Sequence, residues 1–341
     1  MGGNALSMQS VRLTKSNYNQ LAGEVVRALT ALYPHNRVSV IKAYRDKADF
    51  GDLDVLVEST GYNPFDAAKA LNATEVVRNG PVTSIGVVVR PELGAIDGNV
   101  FQVDLVSQEP EGFAYADAYF SFNDLGNLIG RTAHKMGVAH CHDGLFYYFR
   151  DGDHLFRKLC LTRNHDEALR FLGYDPAVFH AGFDDLQGIF DYVTGSTYFN
   201  REIFLLENRN YASRIRDRKR KTYTSFLAHC DAHQELPTYQ YPADKAEWLP
   251  VLMAAFPDFR TEYDQAAADL AELRAVKVRF NGELVSGWTG LQGKELGAVM
   301  RRFREAFPDT KALNAYVLSA GEADLKARVL ACQAEVFPCA N

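Results

Sequence analysis

The sequence predicts an α+β protein in which a compact mixed domain is followed by a larger, mainly helical one. Two observations carry this expectation. Four strand-like apolar runs fall within the first 110 residues, and from about Tyr115 onward helix-spaced apolar residues take over almost throughout. The chain of 341 residues is long enough for two sizeable cores, and 47% hydrophobic with 23% charged residues is ordinary for a folded globular protein. No internal repeat and no low-complexity segment interrupts it. The expected organisation is a mixed domain over residues 1–110, a connecting segment over 111–160 and a helical domain over 161–341.

"KSNYNQLAGEVVRALTALY" predicts a leading helix, with Ser16 as N-cap and Leu21, Val25, Leu29 and Leu32 on one face. The strand candidates follow as "RVSVIKAY", "GDLDVLVE", "PVTSIGVVV" and "NVFQVDLVS", separated by turn-rich or helical stretches such as "NPFDAAKAL". The mixed domain ends near Pro110. Beyond it, "DEALRFLGY", "FDDLQGIFDYV", "NYASRIRDRKRKTYTSFLAHC", "EWLPVLMAAF", "EYDQAAADLAELRAV" and "KELGAVMRRFREAF" each carry helical spacing.

No apolar run reaches bilayer-spanning length, and "MGGNALSMQS" lacks the basic-then-apolar pattern of a signal peptide, so a cytoplasmic protein is expected. The five cysteines, Cys141, Cys160, Cys230, Cys332 and Cys339, include no CxxC pair; reduced thiols are the preferred reading. A net charge of −6 argues against a uniformly basic, nucleic-acid-coating surface, although a local stripe can still supply phosphate contacts. There is no Walker-type glycine loop and no serine–histidine–aspartate or cysteine–histidine triad signal.

The chemistry concentrates in "DKADFGDLDVLVES", residues 46–59. On a strand, residues i and i+2 point to one face roughly 7 Å apart, so Asp52 and Asp54 aim together while Leu53, Val55 and Val57 face the core. Such a pair repels itself unless a cation lies between, and hard oxygen ligands suit Mg²⁺. "FQVDLVS" places Asp104 in a similar setting. Three carboxylates from two neighbouring strands suit two metal ions, one activating a hydroxyl and one clamping a triphosphate, which is the chemistry of nucleotidyl transfer. The bland alternative makes Asp52 a turn residue after Gly51, with Asp54 and Asp104 at solvent-facing edge positions.

"YRDKADFGDLDVLVE", then "FQVDLVS", then "EGFAYADAYFSFNDLGNLIGRTAHKMGVAHCHDGLF" resemble, in order and spacing, the palm and start of the thumb of family X DNA polymerases, the DNA polymerase beta group of the nucleotidyltransferase superfamily. The likeness covers roughly residues 40–150. It implies a nucleotidyltransferase palm over 1–110, a thumb-like segment over 111–160 and a helical body over 161–341. It further implies that Asp52 and Asp54 bind both Mg²⁺ ions, with Mn²⁺ as a substitute, and that Asp104 holds the catalytic metal and helps deprotonate a 3′-hydroxyl. Gly51, Tyr119, Phe120, Asn127 and Arg131 would bind nucleotide: Tyr119 and Phe120 against the sugar, Asn127 and Arg131 near the nascent base pair, and a hairpin would close the segment.

The sequence departs from that pattern at two places. The family's Gly-Ser triphosphate grip is replaced by Lys42 and Ala43, so either Lys42, Arg45 or Lys47 takes over by charge or nucleotide binding is altered. The family's T-G-S turn reads Ser121-Phe122-Asn123. Only one helix precedes the first strand, so the helix-hairpin-helix lyase and finger regions used on gapped DNA are not expected.

"RFNGELVSGWTGLQGKELGAVMRRFREAF", residues 279–307, resembles a segment of tRNA nucleotidyltransferases and poly(A) polymerases. Gly290 and Gly293 would flank a turn, Leu296, Val299, Met300, Phe303 and Phe307 would form a stripe that serves either as core or as part of an RNA-end-binding body, and Arg301, Arg302 and Arg304 would face outward. "RNYASRIRDRKRK", residues 209–221, carries seven basic residues against one acidic. On a continuous helix Arg214, Arg218 and Lys221 share a face, as do Arg216 and Arg220; the stripe is either a phosphate track, with Tyr211 and Tyr223 stacking bases, or a solvated face. His140, Cys141 and His142, and His229, Cys230 and His233, are soft-metal ligand types without zinc spacing. The expected function is Mg²⁺-dependent transfer of nucleotides from an NTP or dNTP to the 3′-hydroxyl of a nucleic acid, RNA and especially tRNA favoured over DNA. The alternatives are a small DNA polymerase or terminal transferase, a nucleotidyltransferase acting on a protein or small molecule, or a binding module.

Overall fold

The computed structural model describes residues 4–93 and 99–338, and Cys339 lies outside them. The fold is mixed, a five-stranded sheet followed by helices. Helix α1 (Lys15–Leu32) is capped by Thr14, whose hydroxyl accepts from the Asn17 N–H. The expected cap, Ser16, instead sits in the first turn, because Thr14 also closes strand β1 (Leu13–Thr14) and its extended backbone suits the cap. Leu21, Val25 and Leu29 are buried as expected, whereas Leu32 at the helix end is 39% exposed.

Strands β2 (Val38–Val40), β4 (Asp52–Glu58), β5 (Glu75–Asn79), β6 (Val82–Val88) and β7 (Val100–Gln108) form one sheet in the order β2-β4-β7-β6-β5; β3 (Asp49–Phe50) pairs with β1. β4 and β7 run parallel, and the other neighbours run antiparallel. β5 has no counterpart among the expected strands. It is a sheet edge with a largely polar, exposed pattern, which the apolar signal does not reach. Helix α2 (Pro64–Ala70) is capped by Asn63.

The two sheet faces differ. Leu53, Val55, Val57, Ile85, Val103 and Leu105 pack with Leu21, Val25 and Leu29 of α1 and with Ala67 and Ala68 of α2. On the other face, Leu56 packs against Phe113 and Ala116 of helix α3 (Phe113–Phe120), with Ile41, Val106 and Phe120 beside them. After helix α4 (Leu125–Lys135) the chain forms a three-stranded sheet of β8 (Val138–Cys141), β9 (Gly144–Asp151) and β10 (His154–Thr162). The expected helical run from Tyr115 is therefore interrupted. Asp-Gly pairs at 143–144 and 151–152 mark the two reversals, the hairpin chemistry that outweighs the surrounding helical pattern.

Further helices follow as α5 (His165–Phe171), α6 (Pro176–Ala181), α7 (Leu186–Thr194), α8 (Tyr211–Arg218), α9 (Lys221–Ala232), α10 (Leu249–Ala255), α11 (Pro257–Arg279), α12 (Gly282–Thr289), α13 (Gly293–Glu305), α14 (Thr310–Ser319) and α15 (Glu322–Val336). The chain divides into two compact units, residues 1–148 with 158–259, and residues 149–157 with 260–341. These units do not follow the boundaries at 110 and 160: α3 closes one face of the sheet, so the segment after 110 belongs to the same body. In the second unit Val299 and Phe303 are core, packed with Phe280, Val317 and Val329, while Leu296, Met300 and Phe307 pack against them. Gly290 and Gly293 take left-handed backbone at φ +73° and +56°, the turn their spacing predicts. Arg301 and Arg304 are exposed, and Arg302 pairs with Glu335 at 2.6 Å. Among the described residues no helix is long and apolar enough to cross a membrane, and Cys141, Cys230 and Cys332 are free thiols.

The basic segment is not one helix. It breaks between α8 and α9, where Arg220 becomes the N-cap of α9 in extended conformation. Wholly buried Asp217 anchors the break, paired with Arg209 Nη2 at 2.7 Å and Arg216 Nε at 2.9 Å. Arg209 Nη1 donates to the Tyr223 hydroxyl at 3.0 Å, which donates to the Phe204 carbonyl at 2.6 Å. Removing one partner of a buried pair strands the other charge, so Asp217→Asn should lower the free energy of unfolding by about 3–5 kcal/mol in urea titration. Arg216→Ala, whose guanidinium is half exposed, should cost no more than about 1 kcal/mol.

Candidate active site

Asp52 and Asp54 leave β4 on the face opposite Leu53, Val55 and Val57, as strand alternation requires. In the parallel register Asp54 lies directly opposite Asp104 of β7, and Asp52 opposite Gln102. Both strands are interior, each flanked on both sides, so neither aspartate sits on an edge strand, although Asp54 does face solvent as the alternative had it. All three aspartates line one cleft of about 380 Å³, together with Lys42, Lys47, Phe120, Asn123, Asp124 and Arg220.

Like charges on adjacent strands determine the electrostatics. The Asp54 side chain is exposed to the water of the cleft, while the protein packed around it partly desolvates the carboxyl. That desolvation, then Asp52 and Asp104, pushes its carboxyl up to about 7. Asp104 is also raised by burial, against the opposing hydrogen bonds of Ser84 and Gln102. Gln102 Nε2 donates to both Asp104 oxygens, at 3.0 and 2.9 Å, while its own Oε1 accepts from the Ala5 N–H at 2.8 Å. Gln102 was not among the residues the sequence singled out. Its signal was there, a polar residue two before Asp104 and so on the same strand face. Lys47 Nζ stands 4.5 Å from the Phe50 ring centre; burial lowers its pKa, opposed by Asp52 and Asp54.

Among the described residues no three Asp, Glu, His or Cys side chains are already drawn around one point. Asp104 is turned to Gln102, but two carboxylate oxygens carry about four lone-pair sites, so that bond leaves acceptor capacity. The donor set is oxygen only, crowded and mutually repelling, and it fits a hard divalent cation better than any soft one. The groups His140–Cys141–His142 and His229–Cys230–His233 gather no third ligand among the described residues. His142 Nδ1 lies 3.0 Å from Gln108 Oε1, and His229 Nδ1 3.0 Å from Gln187 Nε2.

The remaining expected site residues divide. Lys42, Lys47 and Phe120 reach the cleft, and Gly51 is buried at the entry to β4. Arg45 lines a different cavity, paired with Asp184 and donating from Nη1 to the Ala181 carbonyl at 2.8 Å. Tyr119 packs on His140, ring centres 4.9 Å apart, rather than in the cleft. Asn127 accepts from Arg216 Nη2 at 2.9 Å, and Arg131, its pKa lowered to about 10 by burial, donates from Nε to the Ile203 carbonyl at 3.4 Å. Tyr119 near the end of α3, and Asn127 and Arg131 on α4, are thus spent on packing and hydrogen bonds to neighbouring residues rather than on the cleft. Of the basic segment, Arg218 and Lys221 are exposed and Arg214 half-buried, Arg216 is tied to Asn127 and Asp217, and Arg220 enters the cleft paired with Asp124. The break before Lys221 ends the single stripe. Tyr223 is buried, and Tyr211 is 73% exposed.

The turn Ser121-Phe122-Asn123 places two successive non-glycine residues at φ +61°. That backbone is strained for a phenylalanine, and packing compensates: Phe122 meets the rings of Phe179 and Phe183 at 5.3 and 4.9 Å, and its N–H donates to the Lys42 carbonyl at 2.7 Å. The turn holds Asn123 and Asp124 at the cleft wall and links them to the strand end that carries Lys42.

No protein-family model matches the chain, and no curated protein matches it. Its own geometry is what bears on function.

A carboxyl raised in the folded state holds a proton that the unfolded chain has released. The native state is therefore favoured at low pH, and stability falls as pH rises from about 4 to about 7. Asp54→Asn removes that penalty. Measured by thermal melting in a metal chelator, the variant should match the parent at pH 4 and melt about 2–4 °C higher at pH 8, a shift kept small by water in the cleft.

Proposed function

We propose that the chain is a Mg²⁺-dependent nucleotidyltransferase with a polymerase beta-like palm, attaching nucleotides from an NTP or dNTP to the 3′-hydroxyl of a nucleic acid, with an RNA end as the favoured acceptor. The observation that carries this reading is the in-register placement of Asp54 against Asp104, with Asp52 beside them, on interior strands that open into a cleft also holding Lys42, Lys47 and Arg220.

Asp52, Asp54 and Asp104 would hold Mg²⁺. Bound there, the metal supplies charge neutralisation on the triphosphate and an acidified attacking hydroxyl. The chain's own groups do the rest. Gln102 holds the Asp104 carboxylate in orientation, and burial makes that carboxylate more basic, suited to receive the proton of the 3′-hydroxyl. The hydroxyl oxygen bonds to the α-phosphorus as the bond from that phosphorus to the bridging oxygen breaks, and pyrophosphate departs with the electron pair. Lys42 and Lys47 offer charge to phosphate oxygens. The RNA preference rests on the likeness of residues 279–307, and exposed Arg218 and Lys221 suit a polyanionic acceptor.

The test incubates the purified chain with Mg²⁺, each single NTP or dNTP, and end-labelled acceptors: a tRNA lacking its terminal CCA, an unrelated single-stranded RNA, and a primed DNA. Extension is expected, falling on the order of 10³-fold in Asp104→Ala, since a lost metal ligand removes several kcal/mol of charge stabilisation. Gln102→Leu should lose about 10–100-fold through misorientation of Asp104. Wild-type chain that binds nucleotide and Mg²⁺ but extends none of the three would transfer the reading to a protein or small-molecule acceptor.

A further inference from the structure

We propose that Arg220 grips the triphosphate of the incoming nucleotide, and that Asp124 is the partner that holds the guanidinium in place until phosphate displaces it. This rests on the nucleotidyl-transfer reading of the cleft. Among the described residues that line the cleft there is no glycine whose bare backbone would let phosphate approach closely, so the grip must come from side chains. Lys47, on the Phe50 ring beside Asp52 and Asp54, and Lys42 offer phosphate a point charge but no bidentate fork. Arg45 faces another cavity and pairs with Asp184. Among the described residues that line the cleft, Arg220 is the one guanidinium.

Its backbone is out of keeping with its sequence. Arg-Lys-Arg-Lys-Thr would continue a helix, and arginine, with no side-chain acceptor, is a poor N-cap. Nevertheless, α8 ends at Arg218, and Arg220 caps α9 at φ −90° and ψ 111° with no side-chain capping bond. The break is held from within: the Arg220 N–H donates to the Asp217 carbonyl at 3.1 Å, and Asp217 is locked by Arg209 and Arg216. The consequence is that Arg220 leaves the exposed stripe of Arg218 and Lys221 and turns toward Asp52, Asp54 and Asp104.

Asp124 gives the second, independent sign. It occupies the N-cap of α4, where an aspartate ordinarily accepts from the first-turn N–H groups, yet it makes no capping bond; its carboxylate goes to Arg220 Nη1 instead. Arg220 is 39% and Asp124 19% exposed at the side chain, so the pair opens on the cleft. Two oxygens of a phosphate group can take the guanidinium fork while Asp124 turns to the first-turn N–H groups of α4, so the released carboxylate keeps hydrogen-bond donors.

The test measures equilibrium binding of the four NTPs and the corresponding nucleoside monophosphates, in Mg²⁺ without acceptor, and separately of a single-stranded RNA. Wild type should bind its preferred NTP about 10–100-fold more tightly than the monophosphate, as charged hydrogen bonds to the outer phosphates imply. Arg220→Ala should abolish that ratio while leaving monophosphate affinity unchanged, Arg220→Lys should restore part of it, and Asp124→Asn, which removes the competitor and keeps the arginine, should tighten NTP binding severalfold. An unchanged ratio in Arg220→Ala and Arg220→Lys, or weaker NTP binding in Asp124→Asn, overturns the proposal. So does a loss confined to RNA, which would make Arg220 an acceptor contact. Wild type that binds no NTP at all brings down the nucleotidyl-transfer reading itself, an outcome separate from the variants.

Discussion

The repulsion between Asp54 and Asp104, held opposite one another on parallel interior strands, is the constraint to which the first unit answers. Two carboxylates at neighbouring strand positions would separate if the backbone were free. They cannot, because β4 and β7 are each paired on both sides and their reverse faces are sealed by Leu53, Val55, Val103 and Leu105 against α1 and α2. Apolar burial on one face thereby sustains electrostatic tension on the other. The neighbourhood manages that tension with the Gln102 amide, the Ser84 hydroxyl and the Lys47 ammonium, and it leaves Asp54 as the group whose proton is hardest to release.

The counter-charge in the cleft comes from chain that is remote in sequence. The left-handed turn at Phe122 and Asn123 brings Asp124 to the wall, and the interrupted helix at Lys219 and Arg220 brings a guanidinium to meet it. Both devices depart from local preference, and both are held by tertiary contacts: Phe179 and Phe183 around Phe122, and Arg209 around Asp217. Local rules broken at one cleft, with compensation supplied from outside it, are the pattern expected where a chain gives up propensity to place chemistry.

The second unit is simpler. Its helices close on Phe280, Val299, Phe303, Val317 and Val329, and the left-handed glycines 290 and 293 set the turn between α12 and α13. The apolar stripe of α13 serves as core, leaving its arginines to the surface.

By itself the sequence determined the two-residue alternation that puts Asp52 and Asp54 on one strand face with Leu53, Val55 and Val57 on the other, the second aspartate-bearing strand, the leading amphipathic helix and the turn glycines 290 and 293. All of these follow from periodicity or from backbone freedom within a few residues, which is where sequence patterns act. Edge strand β5 was illegible because exposed polar residues carry no apolar period, and Thr14 rather than Ser16 became the cap because β1 fixed the entry into α1. Only the tertiary structure decided that Asp54 faces Asp104 in register, that Gln102 orients the second carboxylate, that Tyr119, Asn127 and Arg131 are spent in packing, and that the basic run breaks to send Arg220 into the cleft. Those outcomes depend on which distant surfaces bury one another, and long-range burial and charge pairing outweigh the small local preferences that a sequence displays.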